Sequence, residues 1–263
     1  GGFVLLVLVF IMSGVLDNIA AALIGGAMAH QLFRARVHIA YIAAIVAASN
    51  GGGAWSVVGD TTTTMMWIQG ISPADVFRCF GPALLGLFIF GIPAARTQHR
   101  HSPMMSHAHA HTHVDWARVG IVLFILLLAI GTNVVVNQHF ASDSGVFPFI
   151  GTAVWIAIAL TSKVRRHDWE VLPENFKGTC FLLALVAMAS MMPIESLPTP
   201  SWVSAMSLGF VSAVFDNIPL TALALKQGGY DWGFLAYAVG FGGSMLWFGS
   251  SAGVALSNMY PEA

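Results

Sequence analysis

Long apolar segments, separated by short polar stretches, account for most of this 263-residue chain. Charged residues make up 9% of it, whereas a soluble domain carries about 25%. Such a chain cannot cover itself with a water-facing surface, and a helix of about 20 apolar residues crosses the hydrocarbon core of a bilayer. The composition therefore predicts an all-α polytopic membrane protein. Its apolar segments are 3–29, 37–68, 81–95, 117–136, 146–162, 178–194, 202–225 and 232–257.

Four of these segments are uninterrupted and are typical of plain spanning helices. The other four contain Gly, Pro, Asn or Asp. Irregular backbone at membrane depth is tolerated only where it packs within protein or lines a cavity. We therefore expect re-entrant helical hairpins at 3–29 and 202–225, and helices broken in the middle at 37–68 and 232–257.

The interrupted segments match in pairs. SGVLDNIAAAL at 13–23 resembles SAVFDNIPLTAL at 212–223, and GGAWSVVGDTTTT at 52–64 resembles GGSMLWFGSSAGV at 242–254. The order is the same in both halves, which indicates an internal repeat. Broken segments at corresponding positions of two halves are typical of the binding site of a secondary transporter.

The distribution of Lys and Arg predicts the orientation. If both hairpins return to their own side, nine of the eleven basic residues share one side, while Arg78 and Lys226 face the other. Basic residues mark the cytoplasmic side, and the five crossings between the hairpins make the repeats inverted. If both hairpins were full spans, the same split would accompany parallel repeats. The expected organisation is first-repeat transport elements at 1–95, a His-rich cytoplasmic loop at 96–116, and a second repeat with scaffold helices, hairpin and broken helix at 117–263.

Three of the twelve acidic residues, Asp17, Asp60 and Asp216, lie well inside apolar segments, where no Lys or Arg accompanies them. A charge at the bilayer centre costs about 2.5–3.5 kcal/mol even on the gentler insertion scales. A proton or a cation must therefore neutralise these carboxylates. The pattern predicts a site for a positive species, with Asp60 and Asp216 as ligands of Na⁺.

Neutral oxygen atoms accompany the three carboxylates, and hard cations prefer oxygen ligands. The glycines at 51–53 and 242–243 allow the backbone to leave helical geometry and expose its carbonyl groups. We interpret Thr63 and Thr64 as packing residues. The residues expected to complete the cation and proton site are Asn18, Asn50, Thr61, Thr62, Ser212, Asn217, Ser250 and Ser251.

The loop at 96–116 carries alternating histidines, which can bind Zn²⁺ or Ni²⁺. No Cys or carboxylate cluster completes a tetrahedral site there, and we favour a solvated loop. The weak candidates for such a metal site are His107, His109, His111 and His113. Cys79 and Cys180 are isolated in apolar contexts and are interpreted as free thiols, and no cofactor is expected.

The stretches VLDNIAAALIGG, SNGGGAWSVVGDTTTTMMWIQG, SAVFDNIPLTALAL and FGGSMLWFGSSAGVALSN resemble the NhaD-type sodium/proton antiporters. These belong to the ion transporter superfamily, which also includes arsenite, citrate and dicarboxylate permeases. The resemblance implies two inverted repeats whose hairpins and unwound helices meet at the midplane. It also implies a homodimer in a bacterial inner membrane, with a transport domain that moves like an elevator. Since the chain begins at a glycine and ends at MYPEA, we expect a fragment of a longer transporter.

The resemblance also implies which positions are functional. The carboxylate-transporting relatives have Ser-Asn-Thr at their hairpin tips, whereas this chain has Asp there, which would repel an anion. The family's polar positions fall on Asp17, Asn18, Asn50, Asp60, Thr61, Thr62, Ser212, Asp216, Asn217, Ser250 and Ser251.

The leading hypothesis is exchange of Na⁺ or Li⁺ for H⁺, in which Asp60, with Asp17 or Asp216, binds either the cation or protons. A second hypothesis is a permease for arsenite or for a Na⁺-coupled carboxylate. A third is an intramembrane aspartyl protease that uses Asp17 and Asp60, but Ser250 stands where the second half would need its matching Asp. We therefore expect a transporter and not an enzyme.

Overall fold

In this computed structural model, the described residues are 1–104, 115–139, 147–166, 169–173 and 198–260, with isolated positions between 176 and 191. Their regular secondary structure is helical throughout. The helices are α1 (Gly2–Ser13), α2 (Asn18–Leu32), α3 (Ile39–Ala54), α4 (Thr61–Ile68), α5 (Pro73–Phe77), α6 (Phe80–His101), α7 (Trp116–His139), α8 (Phe149–Thr161), a 3₁₀ turn (Trp169–Val171), α9 (Trp202–Ser212), α10 (Asn217–Gln227), α11 (Trp232–Gly242) and α12 (Ser251–Met259).

The chain forms two compact units. The first contains the described residues of 1–104 and 198–260, and the second contains those between 115 and 180. All of the interrupted segments fall in the first unit, whereas α7 and α8 pack against each other in the second.

Helices α1 and α2 form an antiparallel hairpin. Asp17 ends the turn between them, and its carboxylate accepts a hydrogen bond from the backbone N–H of Ile19, which caps α2. Val9 contacts Gly25, where the absence of a side chain lets the helices approach closely. Phe33, just after α2, packs beside Gly2 at the start of α1. The segment expected to be a hairpin is therefore two helices that double back.

The second hairpin is built from α9 and α10 in the same way. Asp216 caps α10 by accepting a hydrogen bond from the backbone N–H of Ile218 at 2.9 Å. Gln227, at the end of α10, donates from Nε2 to the carbonyl oxygen of Pro198 at 2.8 Å. The end of α10 thus lies beside the segment that precedes α9.

Both predicted broken helices are interrupted in the structure. The first breaks between α3 and α4, and the second between α11 and α12. In the first break, the hydroxyl of Thr63 donates to the carbonyl oxygen of Ser56 at 2.7 Å, and that of Thr64 donates to Val57 at 2.9 Å. These two threonines satisfy backbone groups that the unwound segment leaves free.

The hairpins pack closely against the broken helices. Gly52 of α3 lies against the carbonyl group of Phe10 in α1, and Gly242 of α11 lies against that of Gly209 in α9. A side chain at either glycine would collide with backbone. The second part of each broken helix packs on the other hairpin, so that α4 contacts α10 and α12 contacts α2. These crossed contacts between the two halves bring both hairpin turns toward both breaks.

Within the part of the chain that the structure describes, two stretches are long and apolar enough to cross a bilayer. Pro73–His101 has a mean hydropathy of 1.7 over its most apolar window, and Trp116–Val136 has 2.7. Large apolar side chains point outward from them, among them Ile89 and Leu127, which are 67% and 66% exposed. An all-helical chain with such outward-facing apolar surfaces is consistent with a membrane transporter. The expected plain helix at 178–194 lies largely outside the described residues.

Candidate functional site

The carboxylate of Asp60 is buried between α3 and α4, with 3% of the residue exposed. Its Oδ1 accepts hydrogen bonds from the backbone N–H and the hydroxyl of Thr62, at 2.8 and 3.0 Å. Asp60 thereby caps α4, where the helix dipole favours a negative charge. The break in the helix holds this side chain in the interior.

Two asparagines contact the other oxygen of this carboxylate. Asn18 and Asn217 are the first residues of α2 and α10, and both are buried. The Nδ2 of Asn18 donates to Oδ2 of Asp60 at 2.9 Å, and that of Asn217 donates to the same atom at 3.4 Å. One carboxylate is therefore bound from both hairpins.

Asn50, which is fully buried in the last turn of α3, connects this centre to the second break. Its Oδ1 accepts from Nδ2 of Asn18 at 3.1 Å. Its Nδ2 donates to the hydroxyls of Ser250 at 2.9 Å and Ser244 at 3.0 Å. Ser250 caps α12 by accepting from the backbone N–H of Gly253. The network thus joins the end of α3 to the starts of α2, α4, α10 and α12.

The carboxylate of Asp60 is surrounded by neutral hydrogen-bond donors. An ionised carboxylate accepts hydrogen bonds at about four positions, and Asp60 receives four from Asn18, Asn217 and Thr62. Among the described residues, the ion pairs involve Asp75 and Asp115, and none includes Asp60. A buried charge without an opposite charge is costly, so the site favours neutralisation by a proton or a cation.

Asp17 and Asp216 cap helices beside this centre. Asp17 is exposed, and Asp216 is partly buried and accepts from the hydroxyl of Ser251 at 3.5 Å. Each directly precedes an asparagine that donates to the Asp60 carboxylate. In each hairpin it is the asparagine, and not the preceding aspartate, that reaches the Asp60 carboxylate.

No protein-family model matches the chain. The chain is 27% identical to "Sodium/proton antiporter 2" of Arabidopsis thaliana, over 95% of this chain and 67% of that protein. It is 26% identical to "Sodium/proton antiporter 1" of the same plant, over 95% of this chain and 49% of that protein. It is 25% identical to "Na(+)/H(+) antiporter NhaD" of Vibrio parahaemolyticus, over 95% of this chain and 71% of that protein.

The chain is a relative of the NhaD-type sodium/proton antiporters. This confirms the resemblance inferred from the sequence. The chain spans between about half and 71% of the length of these three curated relatives, as expected of a fragment. The names of these relatives describe the transport of ions.

The predicted NhaD-like site residues fall into two groups in the structure. The structure brings together Asn18, Asn50, Asp60, Thr62, Asn217 and Ser250. The hydroxyl of Ser212 instead donates a hydrogen bond to the carbonyl oxygen of Val239 at 2.8 Å, and this bond links α9 to α11. Thr61 is exposed at the start of α4.

The sequence analysis missed Ser244, whose hydroxyl accepts a hydrogen bond from Asn50. A groove of about 380 Å³ between α3, α6 and α11 leads along Ala40 and Ala47 to Ser244 and Met245. The small side chains of α3 make room for this groove. Ser244 lies in the Gly-Gly-Ser stretch of the second break, where a polar residue could have been noticed. The sequence alone, however, does not show whether a single serine there binds an ion or only packs.

The histidines proposed as weak metal ligands, 107, 109, 111 and 113, lie outside the described residues. In the described ranges, no group of three His, Cys, Asp or Glu side chains is arranged to hold a metal ion. Cys79 is buried and Cys180 is exposed, and both are free thiols, which confirms that expectation.

Proposed function

We propose that this chain is the ion-binding part of a secondary transporter that exchanges Na⁺ or Li⁺ for H⁺. The observation that carries the proposal is the buried carboxylate of Asp60, which is hydrogen-bonded to neutral groups from both hairpins and to the start of α4. The names of the curated relatives support Na⁺ and H⁺ as the exchanged ions.

The exchange follows from competition at Asp60. A proton and a Na⁺ ion each neutralise the carboxylate, and the binding of one excludes the other. Sodium is a hard cation that prefers oxygen ligands. The amides of Asn18 and Asn217 donate to Asp60 through Nδ2, so each would turn its oxygen toward the ion and complete its coordination together with the hydroxyl of Thr62. No cofactor takes part in this scheme.

Asp216 and Asp17 add negative charge at the edge of the site. Asp216 is the better candidate for a second ligand of Na⁺, because it is partly buried and shares a contact with Ser251 at the start of α12. Asp17 is exposed and would attract cations toward the site without binding them deeply.

Two inverted repeats would provide alternating access to this site. Matched contacts support the repeat. The hydroxyl of Ser13 donates to the carbonyl oxygen of Ser49 at 2.5 Å, and that of Ser212 donates to Val239 at 2.8 Å. In both halves the hydroxyl lies at the end of the first hairpin helix and the carbonyl lies in the broken helix.

An elevator mechanism requires the site to move as one body. All of the site residues belong to the first compact unit, which supports this role for it. We further propose a homodimer in a bacterial inner membrane, with α7 and α8 as scaffold. Movement would be favoured when a proton or a cation neutralises Asp60 and disfavoured when the carboxylate is bare, because an uncompensated charge is costly at membrane depth.

Transport by the full-length protein in everted membrane vesicles tests this proposal. Asp60→Asn should abolish Na⁺-dependent proton release, because the variant side chain cannot be protonated and carries no charge for the cation. Asp75→Asn is the matched control, since Asp75 pairs with Arg78 at an exposed site and its loss should leave exchange unchanged. Exchange that persists in Asp60→Asn would remove this residue from the mechanism.

A further inference from the structure

An apolar groove with a basic end lies in the second compact unit. It has a volume of about 430 Å³ and lies between α7, α8 and the 3₁₀ turn that begins at Trp169. Arg118, Arg165 and Arg166 line it together with isoleucine, valine, leucine and tryptophan side chains. None of these residues belongs to the ion site.

The basic end carries an excess of positive charge. The carboxylate of Asp115 pairs with Arg165 at 2.7 Å and with Arg118 at 3.5 Å. This one carboxylate thus pairs with two of the three arginines that line the groove. Arg118 remains 69% exposed despite its ion pair, so its guanidinium is accessible to a further anion.

The apolar wall continues from the arginines along one face of α7. Arg118, Ile121, Val122 and Ile125 follow the spacing that places residues on one side of a helix, and they extend about 10 Å from the basic end. Val122 is 53% exposed, and Trp155 on the facing helix α8 is 55% exposed. This surface suits an acyl chain, and tryptophan is favoured near the headgroups of a bilayer.

We propose that this groove binds an acidic phospholipid of the surrounding bilayer. The phosphate lies against Arg118, Arg165 and Arg166, and an acyl chain follows the apolar face of α7. Basic pockets between transmembrane helices recognise acidic headgroups through the same charge complementarity. The proposal does not depend on the ions that the first unit transports.

A second copy of the chain fits this groove less well. A two-fold interface places the same patch of both copies together. Arginines of the two copies would then face one another, and like charges brought out of water repel strongly. An acidic lipid supplies the opposite charge that a second copy lacks.

Lipid retention tests the proposal. The full-length protein, purified in mild detergent, is titrated with phosphatidylglycerol or with phosphatidylethanolamine of the same acyl chains, and bound lipid is counted by native mass spectrometry. Phosphatidylglycerol should be retained in preference. Arg165→Gln/Arg166→Gln should weaken its retention about ten-fold, since each basic residue contributes to the attraction.

Arg34→Gln/Arg36→Gln is the matched control, because it removes two exposed charges from the first unit. It should leave retention of phosphatidylglycerol unchanged. If the Gln pair at 165 and 166 lowers the melting temperature, Val122→Glu gives a second test, since this exposed position would place a negative charge beside the lipid.

Four results would overturn the proposal. Equal retention of the two lipids would remove the role of charge, and equal loss in the control pair would indicate general surface attraction. Displacement of the lipid by glycerol phosphate would assign the arginines to a free phosphate. Efficient cross-linking of Val122→Cys between copies, with lipid retention unaffected by the arginine variants, would assign the groove to a dimer interface.

Discussion

The two breaks in the first unit are built alike but carry different charges. Asp60 caps α4 in the first break, and Ser250 caps α12 in the second. Gly53 and Gly243 make matching close contacts with the residues before these caps. Serine and aspartate are both good capping residues, so helix geometry alone does not demand a carboxylate at position 60. The difference shows that both breaks share the same backbone arrangement, while only the first break carries an ionisable side chain.

The largest effect is expected when the first break is given the cap of the second. Asp60→Ser should reduce Na⁺-dependent proton release to background, because the hydroxyl cannot be titrated or attract a cation. The fold should be retained, since serine also caps a helix. Vesicle transport and thermal unfolding of the same variant measure the two effects.

Residual exchange in Asp60→Ser would show that another group carries the charge. Collapse of the fold would show that the carboxylate is needed for stability as well as for transport. Ser72→Thr serves as the control, because Ser72 is exposed, caps α5 outside the site, and would keep its hydroxyl.

The two hairpins provide a second comparison. Asn18 donates to Asp60 at 2.9 Å and also to Asn50, whereas Asn217 lies 3.4 Å from the same oxygen. A hydrogen bond to a charged group contributes about 1.5–3 kcal/mol, so Asn18→Ala should weaken apparent Na⁺ affinity by about 10-fold to 100-fold. The effect of Asn217→Ala should be smaller, because its hydrogen bond is longer.

Titration of the initial exchange rate with Na⁺ compares the two alanine variants. Equal losses would mean that the hairpins contribute alike in the ion-bound form. A larger loss in Asn217→Ala would contradict the asymmetry. Gln31→Ala, on the exposed surface of α2, controls for a general effect on that helix.

The smallest effect is expected at the carboxylates that cap the hairpins. Asn caps helices as well as Asp, so Asp216→Asn and Asp17→Asn should keep the fold. Asp216→Asn should weaken apparent Na⁺ affinity by about three-fold and Asp17→Asn by less, because charges near solvent are screened. The difference should shrink in high concentrations of an impermeant salt. An effect at Asp17 that exceeds the one at Asp216 would reverse their proposed roles.

The sequence predicted the breaks well because their chemistry is local. A glycine run followed by Asp and Thr cannot continue an apolar helix, and α4 begins at Thr61 with Asp60 as its cap. The hairpins were expected for the same reason, and in the structure the segment 3–29 consists of two helices joined at 14–17.

The sequence did not decide which residue of each Asp-Asn pair would face the interior. Adjacent residues at a helix start point in directions about 100° apart, so the rotation of the helix against its neighbours decides between them. That rotation depends on contacts such as Val9 with Gly25, which join distant parts of the chain. Ser244 was missed because its partner, Asn50, is 194 residues away.

The asparagines at the hairpin turns have one further consequence. A primary amide carries a donor and an acceptor on a nearly symmetric plane, so half a turn of its last torsion exchanges NH₂ for oxygen. Asn18 and Asn217 could convert a cage of donors around an anion into a ring of oxygens around a metal without any backbone displacement. Such rotations take picoseconds to nanoseconds at exposed sites and remain fast compared with domain movement. The replacement of a proton by a cation therefore need not limit the transport rate.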